Sequence, residues 1–346
     1  MDIGSTWSAP AAEGNYLVRI ALGDPEGPSS TDVLSGTRRL MLEGVAVPAG
    51  GREERAIAVN VRSPGLAPPP PNAPGGARVL LAEEEEGSPG WQPRIALSFE
   101  GRAPAVLAVE AEPADLPTLY LAGDSTVADQ PGPMYASWGQ MLPLFLGPGI
   151  AVANHARSGE TLKSFISSLR LAKVLERMRP GDYFLVQFCH NDQKKEWPQT
   201  YAEAGSTYEA YLRAYIEEAR ARLATPILAT APQRRRLGPD GRARNTHGPY
   251  PDAVRELASR EGLVLVDLEA ASRSLYEALG PELSRAAFAV SGDETHHGLY
   301  GARQLAKFVA RELGRSGLPL AACADPAVSL YDPARPDPPP GAVGSA

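Results

Sequence analysis

Apolar positions in the first third of the chain recur with period two. Tyr16, Val18 and Ile20 alternate with Leu17, Arg19 and Ala21, and Ile57, Val59 and Val61 alternate with Ala56, Ala58 and Asn60. Ile95, Leu97 and Phe99 alternate with small or polar residues. Successive side chains of a strand point to opposite faces, so this pattern, punctuated by Gly, Pro, Ser and Asp, predicts a β-sandwich over residues 15–112. Two long connections, the Pro/Gly-rich Leu66–Ala77 and the acidic Glu83–Gly90, read as solvated loops rather than sites.

From Leu116 the rhythm changes. Short apolar runs at Leu119–Ala122, Ile150–Ala153, Tyr183–Phe188, Ile227–Thr230 and Val264–Val266 predict strands. Amphipathic stretches at Trp138–Leu146, Thr161–Met178, Tyr208–Leu223, Tyr250–Arg260 and Tyr300–Leu313 predict helices between and after them. Five strands each followed by a helix imply an α/β fold, a five-stranded parallel sheet covered by helices on both faces. Such a sheet gathers its site at the carboxyl ends of its strands. The expected organisation is a β-sandwich accessory domain over 1–115, a catalytic domain over 116–320, and a loosely attached Pro/Gly-rich tail over 321–346.

Composition narrows the function. A chain of 346 residues exceeds what one hydrophobic core usually serves, which agrees with two domains. The net charge of −7 argues against nucleic acid as a partner, since phosphate binding needs a basic surface. All of it sits on residues 1–115, which hold nine Arg, no Lys and sixteen acidic residues, whereas the remainder is balanced. Two cysteines, Cys189 and Cys323, supply neither a disulfide framework nor a zinc set. No apolar stretch is long enough for a membrane helix, so no membrane partner is expected. Met1–Glu13 carries no basic segment followed by an apolar one, so no export signal is read there. Oligomeric state has no signature in the sequence.

Polar blocks follow the predicted strands. Gly123-Asp124-Ser125-Thr126 follows the first, Asn154-His155-Ala156-Arg157-Ser158-Gly159 the second, and Cys189-His190-Asn191-Asp192 the third. Asp293-Glu294-Thr295-His296-His297 precedes the last helix. Any one of these is weak, because Asp and Ser are also favoured helix caps. Together and in this order they resemble the SGNH (GDSL-type) hydrolases, specifically the rhamnogalacturonan acetylesterase branch, in which the first block reads Gly-Asp-Ser-Thr. The resemblance covers about residues 117–315, and the N-terminal β-domain also looks like one that accompanies some bacterial members.

The resemblance implies a flavodoxin-like sheet with Ser125 as nucleophile and Asp293 and His296 completing the triad. It also implies an oxyanion hole made by Ser125, Gly159 and Asn191, with no cofactor or metal. The chemistry agrees. A serine hydroxyl needs a base to take its proton, and the base needs a carboxylate to fix its tautomer. Asp three residues before His on one loop can reach the ring. Gly at 159 suits a backbone that must approach a substrate closely.

Asp124, Asn154, His190, Trp197 and His247 are further candidate substrate contacts, although His190, with His155, also reads as a structural support and His247 equally as a capping or loop residue. Trp197, flanked by Lys194 and Lys195, suits stacking on a sugar ring of a polyuronate chain, and Arg234-Arg235-Arg236 reads as a solvated charge run, with contact to an acidic sugar as the alternative. A metal site built from His190, Asp192, Asp293 and His297 is a rival reading, though it leaves the serine block without a role. A Cys189–His190 nucleophile pair is another, disfavoured because adjacent strand residues point apart. Cys189 itself departs from the family pattern, which has Gly two positions before the oxyanion Asn. The expected function is a serine esterase removing acetyl groups from a plant cell-wall polysaccharide. The alternatives are an esterase on another acetylated carbohydrate or small acyl ester, and a non-catalytic carbohydrate-binding protein on the same scaffold. The family resemblance implies an extracytoplasmic or secreted protein, with a cytoplasmic one left open.

Overall fold

The protein's structure, a computed structural model, describes residues 5–341. Seven strands come first: β1 (Thr6–Pro10), β2 (Gly14–Leu22), β3 (Ser29–Ser35), β4 (Arg39–Val47), β5 (Glu53–Val61), β6 (Arg94–Ala103) and β7 (Val106–Pro113). They form two antiparallel sheets, in the orders β1-β6-β3-β4 and β5-β2-β7. Val18, Ile20, Ile57 and Val59 from one sheet and Val33, Ile95, Leu97 and Phe99 from the other share one buried cluster. That is the expected sandwich, and the period-two positions are its core. Strands β1, β3, β4 and β7 escape the sequence pattern because they carry polar inward positions, as at Thr31, or lie at exposed edges.

The parallel sheet comprises β8 (Thr118–Gly123), β9 (Ala151–Asn154), β10 (Tyr183–Gln187), β11 (Thr225–Ala229) and β12 (Val264–Val266), in the order β12-β11-β10-β8-β9. Every residue of β8 and of β10 is buried, as a strand covered on both faces requires. Leu119, Leu121 and Leu185 pack on one face with α1 (Trp138–Met141), α6 (Leu268–Leu283) and α7 (Leu299–Arg315). Tyr120, Phe184 and Val186 pack on the other with α2 (Leu162–Ser167), α3 (Arg170–Arg177), α4 (Glu209–Ala221) and α5 (Tyr250–Glu261). Strand order reverses between β8, which pairs with β9 on one side, and β10 on the other. A ligand crevice opens at such a switch point.

Three expectations are corrected. The single helix expected over Thr161–Met178 is two, because Leu169 takes a left-handed φ of 63° between α2 and α3. The α6 helix, capped by the Asp267 side chain, was not expected at all. The tail is docked rather than loose over its described part. Val328 is buried, Arg311 donates to the Tyr331 carbonyl at 2.6 Å, and Asp337 accepts from Gln304 Nε2 at 2.8 Å. Residues 342–346 lie outside the described residues.

The sandwich and the parallel sheet meet over charged groups. Arg39 lies 3.3 Å from Asp129 and donates to the Val152 carbonyl at 2.9 Å. Trp91 packs edge-on against His155 with ring centroids 5.5 Å apart. Glu85, in the acidic run expected to be solvated, turns inward instead to pair with Arg170 and accept from Trp91 Nε1.

Candidate active site

The site begins at the exits of β8 and β10. Gly123 lies opposite Gln187 in the ladder, and a Cβ there would stand 2.8 Å from the Gln187 carbonyl oxygen and 2.4 Å from Val127 Cγ2. Only glycine lets the chain turn this tightly against its neighbour. The Asp124 carboxylate then folds the turn. Its Oδ1 accepts from the Thr126 backbone at 2.9 Å and the Thr126 hydroxyl at 2.8 Å, which leaves Ser125 at the apex. Gln130 Nε2 donates to the Ser125 carbonyl at 2.7 Å and steadies the turn from the far side.

Asp124 Oδ2 faces His190 Nδ1 at 3.2 Å, and His190 Nε2 faces the Pro232 carbonyl at 3.0 Å. Burial opposes charge on Asp124, but His190 and the Thr126 donors outweigh it and hold the carboxyl at about 2. His247 packs edge-on to His190 at 4.6 Å between ring centroids, with Nε2 on the same Pro232 carbonyl at 2.9 Å. Burial, followed by repulsion from His190, lowers His247 to about 3 and keeps it neutral. These links tie the exits of β8, β10 and β11 into one polar floor.

The second wall comes from β9. Asn154 donates to the Val127 carbonyl at 2.7 Å and to Asp129 at 2.8 Å, and its oxygen accepts from Ala156 at 3.2 Å. Beyond it the chain reaches Gly159 at φ 85°, in the left-handed region, and a Cβ built there would meet nothing within 4 Å. Asn191 faces this loop: one amide hydrogen goes to the Glu160 carbonyl at 3.1 Å, and Oδ1 accepts from Lys194 Nζ at 2.8 Å. The amide is held at both ends and keeps one hydrogen free. Among the described residues, neither the Ser125 nor the Gly159 backbone N–H donates a hydrogen bond within the chain. Two backbone N–H groups and one hydrogen of the Asn191 amide are thus left without partners within the chain.

The loop before α7 carries Asp293 and His296. Asp293 Oδ2 lies 2.9 Å from His296 Nδ1, while Oδ1 accepts from the backbone of Thr295 at 2.8 Å and of His296 at 2.9 Å. Partial burial works against charge on Asp293, but these donors prevail and hold the carboxyl below its usual range. The His296 ring is partly exposed, with Tyr135 edge-on at 6.0 Å. No hydrogen bond joins Ser125 Oγ to His296 among the described residues.

A family model described as the GDSL-like lipase/acylhydrolase family matches residues 121–303, which span all four polar blocks. The chain belongs to the GDSL-like lipase/acylhydrolase family. The rhamnogalacturonan acetylesterase RhgT of Bacillus subtilis is 40% identical to it over 217 residues, 58% of this chain and 91% of that protein. The probable rhamnogalacturonan acetylesterase YesY of the same organism is 36% identical over 206 residues, 58% of this chain and 94% of that protein. Outside that region the likeness is one of fold. The crystal structure of protein YxiM from Bacillus subtilis, 23% identical, covers 91% of this chain and 81% of its own, with a TM-score of 0.56.

This GDSL-like hydrolase uses several candidate contacts otherwise than the sequence suggested. Asn154, His190 and His247 are buried with their polar side-chain atoms engaged inside the chain. They brace the cleft, as Asp124 does. Trp197 remains half exposed, with Lys194 Nζ 4.2 Å from its ring centroid. Among the described residues no three His, Cys, Asp or Glu side chains converge as a metal set. His297, one of the proposed ligands, is buried with Nε2 2.7 Å from the Tyr276 hydroxyl. Burial pushes the Cys189 thiol well above its ordinary range, and both nitrogens of His190 are committed elsewhere, so the Cys–His pair has no support. Sequence reasoning placed Lys194 beside Trp197 but not on Asn191, and it missed Gln130 and Gln187, which accepts from Trp138 Nε1 at 2.9 Å. Gln187 alone left a signal, as a glutamine closing the apolar run Tyr-Phe-Leu-Val.

Proposed function

We propose that this hydrolase is a serine acetylesterase that releases acetyl groups from a pectic polysaccharide, rhamnogalacturonan. The reading rests on the unpartnered Ser125 and Gly159 N–H groups beside the half-free Asn191 amide, within the region 40% identical to RhgT. Ser125 attacks the acetyl carbonyl while His296 Nε2 takes its proton, and the three donors receive the negative charge that develops on oxygen. Asp293 fixes the tautomer that leaves Nε2 unprotonated and stabilises the ring once it is charged. The sugar hydroxyl departs with that proton, and water attacks the acetyl-serine by the same route in reverse. Each oxyanion donor is worth about 2.7–4 kcal/mol in the transition state of such a reaction. Residues 1–115 act in the same proposal as an accessory unit that supports the cleft through Arg39, Glu85 and Trp91.

The test is a substrate comparison: acetate release from acetylated rhamnogalacturonan, acetylated xylan and p-nitrophenyl acetate. A clear preference for rhamnogalacturonan is expected. Equal rates on both polysaccharides would refute the substrate assignment.

A further inference from the structure

Four arginines around the cleft have carboxylate partners. Arg157 and Arg170 pair with Glu85 and Glu160, and Arg235 and Arg236 pair with Glu294. Lys194 and Arg234, like Lys163 and Lys195 nearby, have no carboxylate within ion-pairing distance among the described residues. Both are anchored on the exit of β10, at consecutive positions. Lys194 donates to Asn191 Oδ1 at 2.8 Å, and Arg234 Nη2 donates to the His190 carbonyl at 3.3 Å. Both are half-buried; burial lowers Lys194 first and the Arg234 charge next, while Glu196 and Asp124 act the other way. Asp124, beneath them, is buried and already committed to His190. The two cations are thus held on neighbouring residues of the β10 exit, neither ion-paired among the described residues, with the Trp197 indole against one of them.

We propose that Arg234 and Lys194 form a carboxylate subsite beside the oxyanion hole, which receives the carboxylate of a uronic-acid unit neighbouring the acetylated sugar. The proposal rests on the reading of the cleft as a polysaccharide esterase site. The guanidinium, with one nitrogen on His190, keeps donors free for a planar carboxylate, the geometry its fork matches best. Lys194 stands over the indole of Trp197, so a sugar whose carboxylate reaches the pair lies along that exposed ring. The subsite thereby orients a uronate-containing chain relative to Ser125. A neutral polysaccharide has nothing to offer it.

Arg234→Gln tests this, with Arg234→Lys as the charge-retaining control. In Arg234→Gln, KM on acetylated rhamnogalacturonan rises about tenfold or more, the loss expected for a charge-assisted contact, while hydrolysis of p-nitrophenyl acetate stays at the wild-type rate. Arg234→Lys recovers part of the loss. The second arm measures inhibition of p-nitrophenyl acetate hydrolysis by unacetylated oligogalacturonate, with neutral xylo-oligosaccharide as the comparison. Oligogalacturonate inhibits the wild type more strongly, and the preference is lost in Arg234→Gln. Equal inhibition of wild type and Arg234→Gln would overturn the subsite, as would a parallel loss of activity on p-nitrophenyl acetate. Selective inhibition of an enzyme that releases no acetate from rhamnogalacturonan would uphold the subsite and refute the substrate assignment instead.

Discussion

Replacing Asp192 by Asn makes the protein's stability respond to pH in a way the structure specifies. The Asp192 carboxylate is fully buried beside Asn191; Oδ1 accepts from the Leu162 backbone at the start of α2 at 2.8 Å, and Oδ2 has no partner. Burial, opposed by the Leu162 donor and reinforced by the nearby Asp124 charge, raises its pKa from 3.8 to about 7. The folded state therefore holds a proton that the unfolded chain releases near pH 4. The stabilisation from that proton is complete below about pH 4 and is lost as pH rises to about 7, at up to about 1.4 kcal/mol per pH unit. Other acids titrating in the window are common to both proteins and cancel in their difference. Asp124, held at about 2, keeps a constant charge across it. Urea denaturation of wild type and Asp192→Asn at several pH values between 4 and 8 measures the effect. The stability of the variant relative to wild type should climb by a few kcal/mol up to pH 7 and then level off. A difference that is flat, or that falls with pH, would show that Asp192 is ionised throughout and that its surroundings are misread.

Two further perturbations address the cleft. Cys189 has a φ of 150°, a region that favours glycine, so Cys189→Gly should be more stable than Cys189→Ala in thermal melts. Relief of about 1–3 kcal/mol of backbone strain outweighs the roughly 0.5–1 kcal/mol that glycine ordinarily costs against alanine; the opposite order would show no strain there. Gly159→Ala puts a Cβ on a residue at φ 85° and disturbs an oxyanion donor, so kcat should fall about a hundredfold with KM little changed. A variant with wild-type kcat would remove Gly159 from the hole.

The fold was legible wherever burial imposes a period. Ile95, Leu97 and Phe99 alternate because one face of β6 is core, and β10 is apolar throughout because both of its faces are covered. The strand exits announced the site because a switch-point crevice needs polar residues there and little else in such a strand can carry them. Helix α6 was legible in principle: Leu268, Ala271, Leu275, Tyr276 and Leu279 keep helical spacing after the Asp267 cap. What the sequence conceals is pairing across distance. Glu85 finds Arg170, and Lys173 finds Glu13, because the sandwich docks on α3, and no local pattern encodes a partner on another layer. The same limit hid the shared Pro232 carbonyl that His190 and His247 both face, although a structural role for each was already open from the sequence. The Cys189 departure from the family's glycine was visible, but its consequence, a strained φ, needed the backbone.

The central claim is that acyl transfer passes through Ser125. It is tested most directly by rapid quenching of the enzyme during turnover of an acetyl ester, with mass spectrometry of the peptide containing Ser125, for wild type and Ser125→Ala. The account predicts an acetyl group on Ser125 in the wild type, and in Ser125→Ala neither the adduct nor catalysed acetate release. Sustained acetate release by Ser125→Ala, or an acetyl group carried on another residue, would contradict it.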